Sequence, residues 1–77
     1  MTDVTKEMTE CYPDCIIAQK ISPNRTLFIR NTEDKIYKAF EQIGMSVFYV
    51  IKLTEDDITN LLASKNKRLD EFLEIPI

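Results

Sequence analysis

Asn31-Thr32-Glu33-Asp34-Lys35-Ile36-Tyr37-Lys38-Ala39-Phe40-Glu41-Gln42-Ile43-Gly44 carries the pattern of an amphipathic helix. Ile36, Phe40 and Ile43, with Ala39 beside them, fall on one face at helical spacing. Lys35, Lys38, Glu41 and Gln42 cover the opposite face. Asn31 or Thr32 offers an N-cap, and Glu33 and Asp34 complement the dipole in the first turn. Gly44, the single glycine of the chain, stands where a left-handed C-cap belongs, so it reads as a helix stop.

Strand signals lie on both sides of this stretch. Cys15-Ile16-Ile17-Ala18-Gln19-Lys20-Ile21 and Thr26-Leu27-Phe28-Ile29-Arg30 are short, rich in β-branched residues and bounded by turn formers. Ser22-Pro23-Asn24-Arg25 joins them with turn chemistry: proline presets φ and asparagine tolerates the left-handed region. A four-residue hairpin loop pairs Ile21 with Thr26, Gln19 with Phe28 and Ile17 with Arg30. Ser46-Val47-Phe48-Tyr49-Val50-Ile51-Lys52-Leu53 is a third strand. Val47, Tyr49, Ile51 and Leu53 point one way, Phe48 and Val50 the other.

The two ends read as helical. Val4, Met8 and Cys11 give residues 3–11 a narrow apolar stripe that frays without a partner and stops before Pro13. Thr54 caps a last helix, with Asp57 three positions on as in a capping box. Its stripe runs through Ile58, Leu61 and Leu62 to Leu69, Phe72 and Leu73, with Asn66-Lys67 as a break that makes it one helix or two. Ile75-Pro76-Ile77 forms an extended apolar tail.

The order (α)-β-β-α-β-α predicts a small α+β domain over residues 1–77. Strands two and three flank a helix and are expected to run parallel through a right-handed crossover. The expected sheet has three strands in the order 2-1-3, covered on one side by two main helices. Phe28, Phe48 and Val50 then lie on the other side, to be covered by the N-terminal helix or a second chain.

A chain of 77 residues has room for one core. With 44% hydrophobic and 30% charged residues it has the composition of a folded domain. A net charge of -3 argues against a dedicated nucleic-acid binder and against docking on anionic membranes. No apolar run approaches the roughly 18–20 residues that span a bilayer. The polar opening Met1-Thr2-Asp3-Val4-Thr5-Lys6-Glu7 predicts no secretory leader, so the expected compartment is the cytoplasm.

The chain has no histidine, which removes the commonest general acid–base group and metal ligand. One glycine rules out a P-loop, a dinucleotide-binding loop and a nucleophile elbow. The carboxylate pairs Glu33/Asp34, Asp56/Asp57 and Asp70/Glu71 sit at helix starts or on helix surfaces. Neither catalysis nor a cofactor is expected. Cys11 and Cys15 are spaced C-x3-C, not the C-x2-C of dithiol oxidoreductases. A metal or redox role for them is an alternative that needs further ligands from Glu10, Asp14 or a second chain. Otherwise they behave as small hydrophobes. Arg25, Phe28 and Arg30 on the hairpin offer a second alternative, a face that stacks single-stranded nucleic acid.

Apolar residues on both sheet faces, without catalytic chemistry, lead to the main expectation. It is a non-catalytic protein-interaction module, a regulator or inhibitor of a macromolecular partner, homodimeric, of the phage or mobile-element accessory type. The candidate contact surface comprises Phe28, Phe48, Val50, Leu69, Phe72, Leu73, Ile75 and Ile77.

Overall fold

The computed structural model describes residues 2–64 and 68–75. Five strands form one sheet: β1 (Thr2–Asp3), β2 (Cys15–Ser22), β3 (Arg25–Glu33), β4 (Ile36–Ile43) and β5 (Ser46–Thr54). They lie in chain order, each antiparallel to the next. Helix α1 (Thr5–Cys11) sits between β1 and β2, and α2 (Glu55–Ala63) and α3 (Leu69–Phe72) follow β5. The expected three-stranded sheet of order 2-1-3 with a parallel crossover is therefore incorrect. The fold is an antiparallel meander with small helices.

The error lies at the helix expected after Asn31. Residues 36–43 form β4, paired on both sides with β3 and β5. Their apolar residues suit either a helix with one apolar face or a strand with apolar residues on both faces. Ile36, Ala39, Phe40 and Ile43 make a helical stripe, yet alternation sets Tyr37 and Ala39 on one face and Phe40 on the other. Pairing on two sides decides the matter. As a strand, Ala39 is fully buried in the main core, and Phe40 stacks on Phe28. A helix here would leave the neighbouring strands without hydrogen-bond partners. Asp34, expected in the first helical turn, and Lys35, expected on the polar helix face, form the β3–β4 turn, with Lys35 at φ 60. Gly44 does adopt the left-handed conformation expected of it, with φ 59. It serves a two-residue hairpin loop between β4 and β5, where such turns also favour glycine.

Register shifts at Ile16, Ile21, Thr32 and Val50 reset the faces. The β2–β3 hairpin closes with Ser22 opposite Arg25, but a bulge at Ile21 then pairs Gln19 with Leu27 and Ile17 with Ile29. This is one residue off the expected register, so Phe28 lies opposite Ala18 rather than Gln19. A one-residue slip exchanges the faces of a strand, and matching Ile17 to Ile29 selects this register. In β5, Ile51 pairs with Ala39 and Tyr49 with Phe40, leaving Val50 as a bulge. Phe48 pairs with Glu41, itself opposite Leu27, so Phe48 lies on the opposite face from Phe28.

One face carries the main core. Ile17, Leu27, Ile29, Ala39 and Leu53 pack there with Ile58 and Leu61 of α2 and Leu69 of α3. Thr54 accepts the Asp57 N–H, and the Asp57 carboxylate accepts the Thr54 N–H, the expected capping box. The side chain of Gln19 accepts the Leu69 N–H at 2.8 Å, tying α3 to the middle of β2. The second face has a smaller core of Cys15, Ala18 and Phe28, covered by Val4, Met8 and Tyr12 around α1. That helix is thus given a partner by the sheet. The suggested break at Asn66-Lys67 lies outside the described residues.

Candidate functional site: the open half of the sheet

Helix α1 reaches only the β2–β3 half of the second face. The β4–β5 hairpin is left open. Ile43, Met45, Val47, Phe48, Tyr49 and Ile51 are all exposed, with Phe48 at 51% and Tyr49 at 56%. Val47 and Tyr49 lie on the second face, Ile43, Phe48 and Ile51 on the main-core face and Met45 at the turn, so the hairpin exposes apolar side chains on both sides, a feature that marks an interaction surface. Strand β5 is also the last in the sheet, so one of its backbone edges faces no strand among the described residues. The sheet's other edge is protected: β1 is two residues long and runs straight into α1.

On the second face the register aligns two rows across the strands. Ala18, Phe28, Phe40 and Tyr49 lie abreast in one row. Their rings stack in sequence from Tyr12 above: Tyr12 to Phe28 at 5.1 Å, Phe28 to Phe40 at 5.4 Å, Phe40 to Tyr49 edge-on at 6.0 Å. Cys15, Arg30, Lys38 and Lys52 form the next row. The Arg30 guanidinium lies over Tyr12 at 4.7 Å and makes a two-pronged ion pair with Asp14 at 2.7 and 3.0 Å. Those hydrogen bonds to Asp14 hold its pKa above the usual arginine value.

The expected contact residues divide among different settings. Phe48 is exposed on the main-core face, whereas Val50 packs against the main core itself. Phe28 is buried within the ring stack. Leu69 is fully buried, and Phe72, Leu73 and Ile75 pack against the same core. The C-terminal segment thus completes the core instead of offering a free surface. Ile77 lies outside the described residues. The sequence reading missed Tyr49, Val47 and Ile51 as contact residues, and Met45, 99% exposed at the hairpin turn. Their signal was present in the apolar run of the third strand. What it lacked was the knowledge that this strand is an edge.

The three residues proposed on the hairpin for nucleic acid do not act together. Arg25 pairs with Glu41, which register places on the main-core face, opposite to Phe28 and Arg30. Phe28 is buried and Arg30 is held by Asp14. The two cysteines occupy different settings: Cys11 is exposed, while Cys15 is buried against Ala18 and Phe28. Burial pushes the Cys15 thiol pKa up, which favours the unreactive neutral form. Among the described residues no group of three or more potential ligands could hold a metal ion. Titration of the native protein with a thiol reagent should accordingly show one fast thiol, Cys11, and one that reacts only on unfolding. Two equally fast thiols would contradict the buried placement of Cys15.

No described helix is long and apolar enough to cross a membrane. No protein-family model, curated protein or solved structure matches the chain.

Proposed function

We propose that the chain is a small non-catalytic protein-interaction module that works by pairing its β5 edge, first with a second copy of itself. The observation that carries this is the open, apolar edge strand: nine residues in a sheet whose opposite edge is protected. An open edge presents a row of unpaired N–H and C=O groups, and a strand from another chain satisfies them. Exposed Phe48 and Ile51 on one side of β5 and Val47 and Tyr49 on the other flank such an added strand. Self-pairing suits the charge pattern. Lys52 is the one charged residue of β5, and it lies off the middle of the strand. An antiparallel copy therefore sets Lys52 against an uncharged residue rather than against its own counterpart. Regulation or inhibition of a larger partner would use the same edge, in the dimer's place.

Sedimentation velocity over a wide concentration range tests this reading. A monomer–dimer equilibrium is expected, and Phe48→Lys with Ile51→Lys should shift it to monomer. Both side chains are about half exposed, so neither change burdens the core. A chain that stays monomeric at every concentration would remove the self-pairing proposal.

A further inference from the structure

We propose that the open half of the second sheet face binds single-stranded nucleic acid, with Lys38 and Lys52 holding phosphate and Phe40 and Tyr49 stacking bases. The starting point is an electrostatic anomaly. Register sets Arg30, Lys38 and Lys52 directly opposite one another on β3, β4 and β5. Cross-strand partners stand about 4.5–5.5 Å apart at Cβ, and like charges so placed destabilise a sheet. Arg30 is compensated by Asp14. Lys38 and Lys52 make no ion pair among the described residues. The chain has thirteen acidic residues, more than its ten basic ones, yet sets none against these two lysines. A row of cations maintained in this way fits an anion that arrives from outside.

The neighbouring row specifies what else the anion carries. Phe40 lies on the buried Phe28 ring, and Tyr49 continues the row 6.0 Å further on. Tyr49 is more than half exposed, and Arg30 reaches within 5.8 Å of the Phe40 ring. Flat rings beside fixed cations match a ligand of flat rings joined by phosphates, and ring stacking on aromatic side chains tolerates any base. Shape selects the single strand over the free nucleotide. A small ligand needs a concave site. One cavity lies at the β1–β2 edge, lined by Thr2, Lys20 and Pro23; the other lies on this face between α1 and Thr26 and Gln42, on the far side of the aromatic row from Lys38 and Lys52. The Lys38–Tyr49 face is an open platform, which suits an extended strand. A duplex keeps its bases stacked inside and could offer only phosphate. The net charge of -3 weakens long-range attraction of a polyanion, so binding rests on the local contacts of this face. A strand added at the β5 edge lies in the plane of the sheet and leaves this face free, so the two proposals are separable.

Fluorescence anisotropy with a short labelled oligothymidylate, on the full chain, tests the inference. Binding is expected at low salt. The plot of log K against log salt should have a slope near −1.4, since each phosphate contact to a single strand contributes about −0.7. Lys38→Gln with Lys52→Gln should bring that slope near zero and weaken binding about tenfold or more. The same variant should unfold at equal or higher urea concentration than the parent, because a like-charge contact is relieved, so lost binding cannot be ascribed to lost fold. Tyr49→Ala should weaken binding about five- to hundredfold, and Tyr49→Phe should retain it. The proposal is overturned by absence of binding at low salt, or by a double-lysine variant that binds as well as the parent. Equal affinity for a duplex or a mononucleotide, or equal competition by polyglutamate, overturns it as well. Sedimentation of the same variants shows whether β5 pairing persists independently.

Discussion

Phe28→Ala is expected to lower the unfolding free energy by about 3–5 kcal/mol, the range for deleting a buried aromatic ring. Phe28 is 1% exposed and is sandwiched between Tyr12 at 5.1 Å and Phe40 at 5.4 Å. Each stacked contact adds roughly 0.5–1.5 kcal/mol beyond burial. Deleting the ring removes the floor beneath Phe40 and the surface on which α1 rests. For a chain of 77 residues the whole stability is roughly 4–12 kcal/mol. The variant should therefore be substantially unfolded at ambient temperature or melt well below the parent. Urea denaturation followed by far-ultraviolet circular dichroism measures the change. Phe28→Leu, which preserves most of the volume, should cost far less. A loss below about 1 kcal/mol for alanine would mean that the second face has no core at this point.

Leu69→Ala is expected to cost about 2–5 kcal/mol. Helix α3 is four residues long and cannot hold itself in water. Its order comes from the Leu69 side chain, fully buried among Leu27, Ile29 and Leu61, and from the Leu69 N–H bonded to Gln19. Asp70 beside it is buried and paired with Arg68. Losing the leucine side chain opens a cavity over β3 and loosens the segment together with that pair. The effect should appear as lower urea resistance together with faster proteolysis near the C-terminus. Leu62→Ala is the control: Leu62 is 52% exposed, so its replacement should change stability by about 0.5 kcal/mol or less. Equal losses at the two positions would show that α3 is not part of the core. For the same reason, deleting residues 69–77 should destabilise the fold rather than merely remove a contact surface.

These two residues also show how far the sequence reached. Phe28 was correctly placed on a strand, but its burial depended on the ring of Phe40, a residue that reads equally well as helix. Leu69 carried the apolar spacing of a helix. Spacing alone does not say whether such a stripe meets its own core or another molecule. Tyr49 and Phe48 stood out as apolar strand residues, and their faces were reversed relative to Ile51 by the bulge at Val50. A bulge leaves no mark in the alternation of a strand that is apolar on both sides.

Local chemistry was settled by the sequence alone. The turn at Pro23-Asn24, the left-handed Gly44, the Thr54–Asp57 capping box and the three strands outside the central stretch depend on nearest neighbours along the chain, and the structure contains each of them. Tertiary structure alone decided the identity of residues 36–43, the faces of β2 and β5, and which strand is the open edge. The physical reason is that an amphipathic stripe obtains its stabilisation from what it packs against. Because Ile36, Ala39, Phe40 and Ile43 suit either one helical stripe or the two faces of a covered strand, the hydrogen-bond partners waiting on β3 and β5 choose between them. The same pairing sets Lys38 beside Lys52 and Phe40 beside Tyr49, so the surface proposed to bind exists only once the sheet has formed.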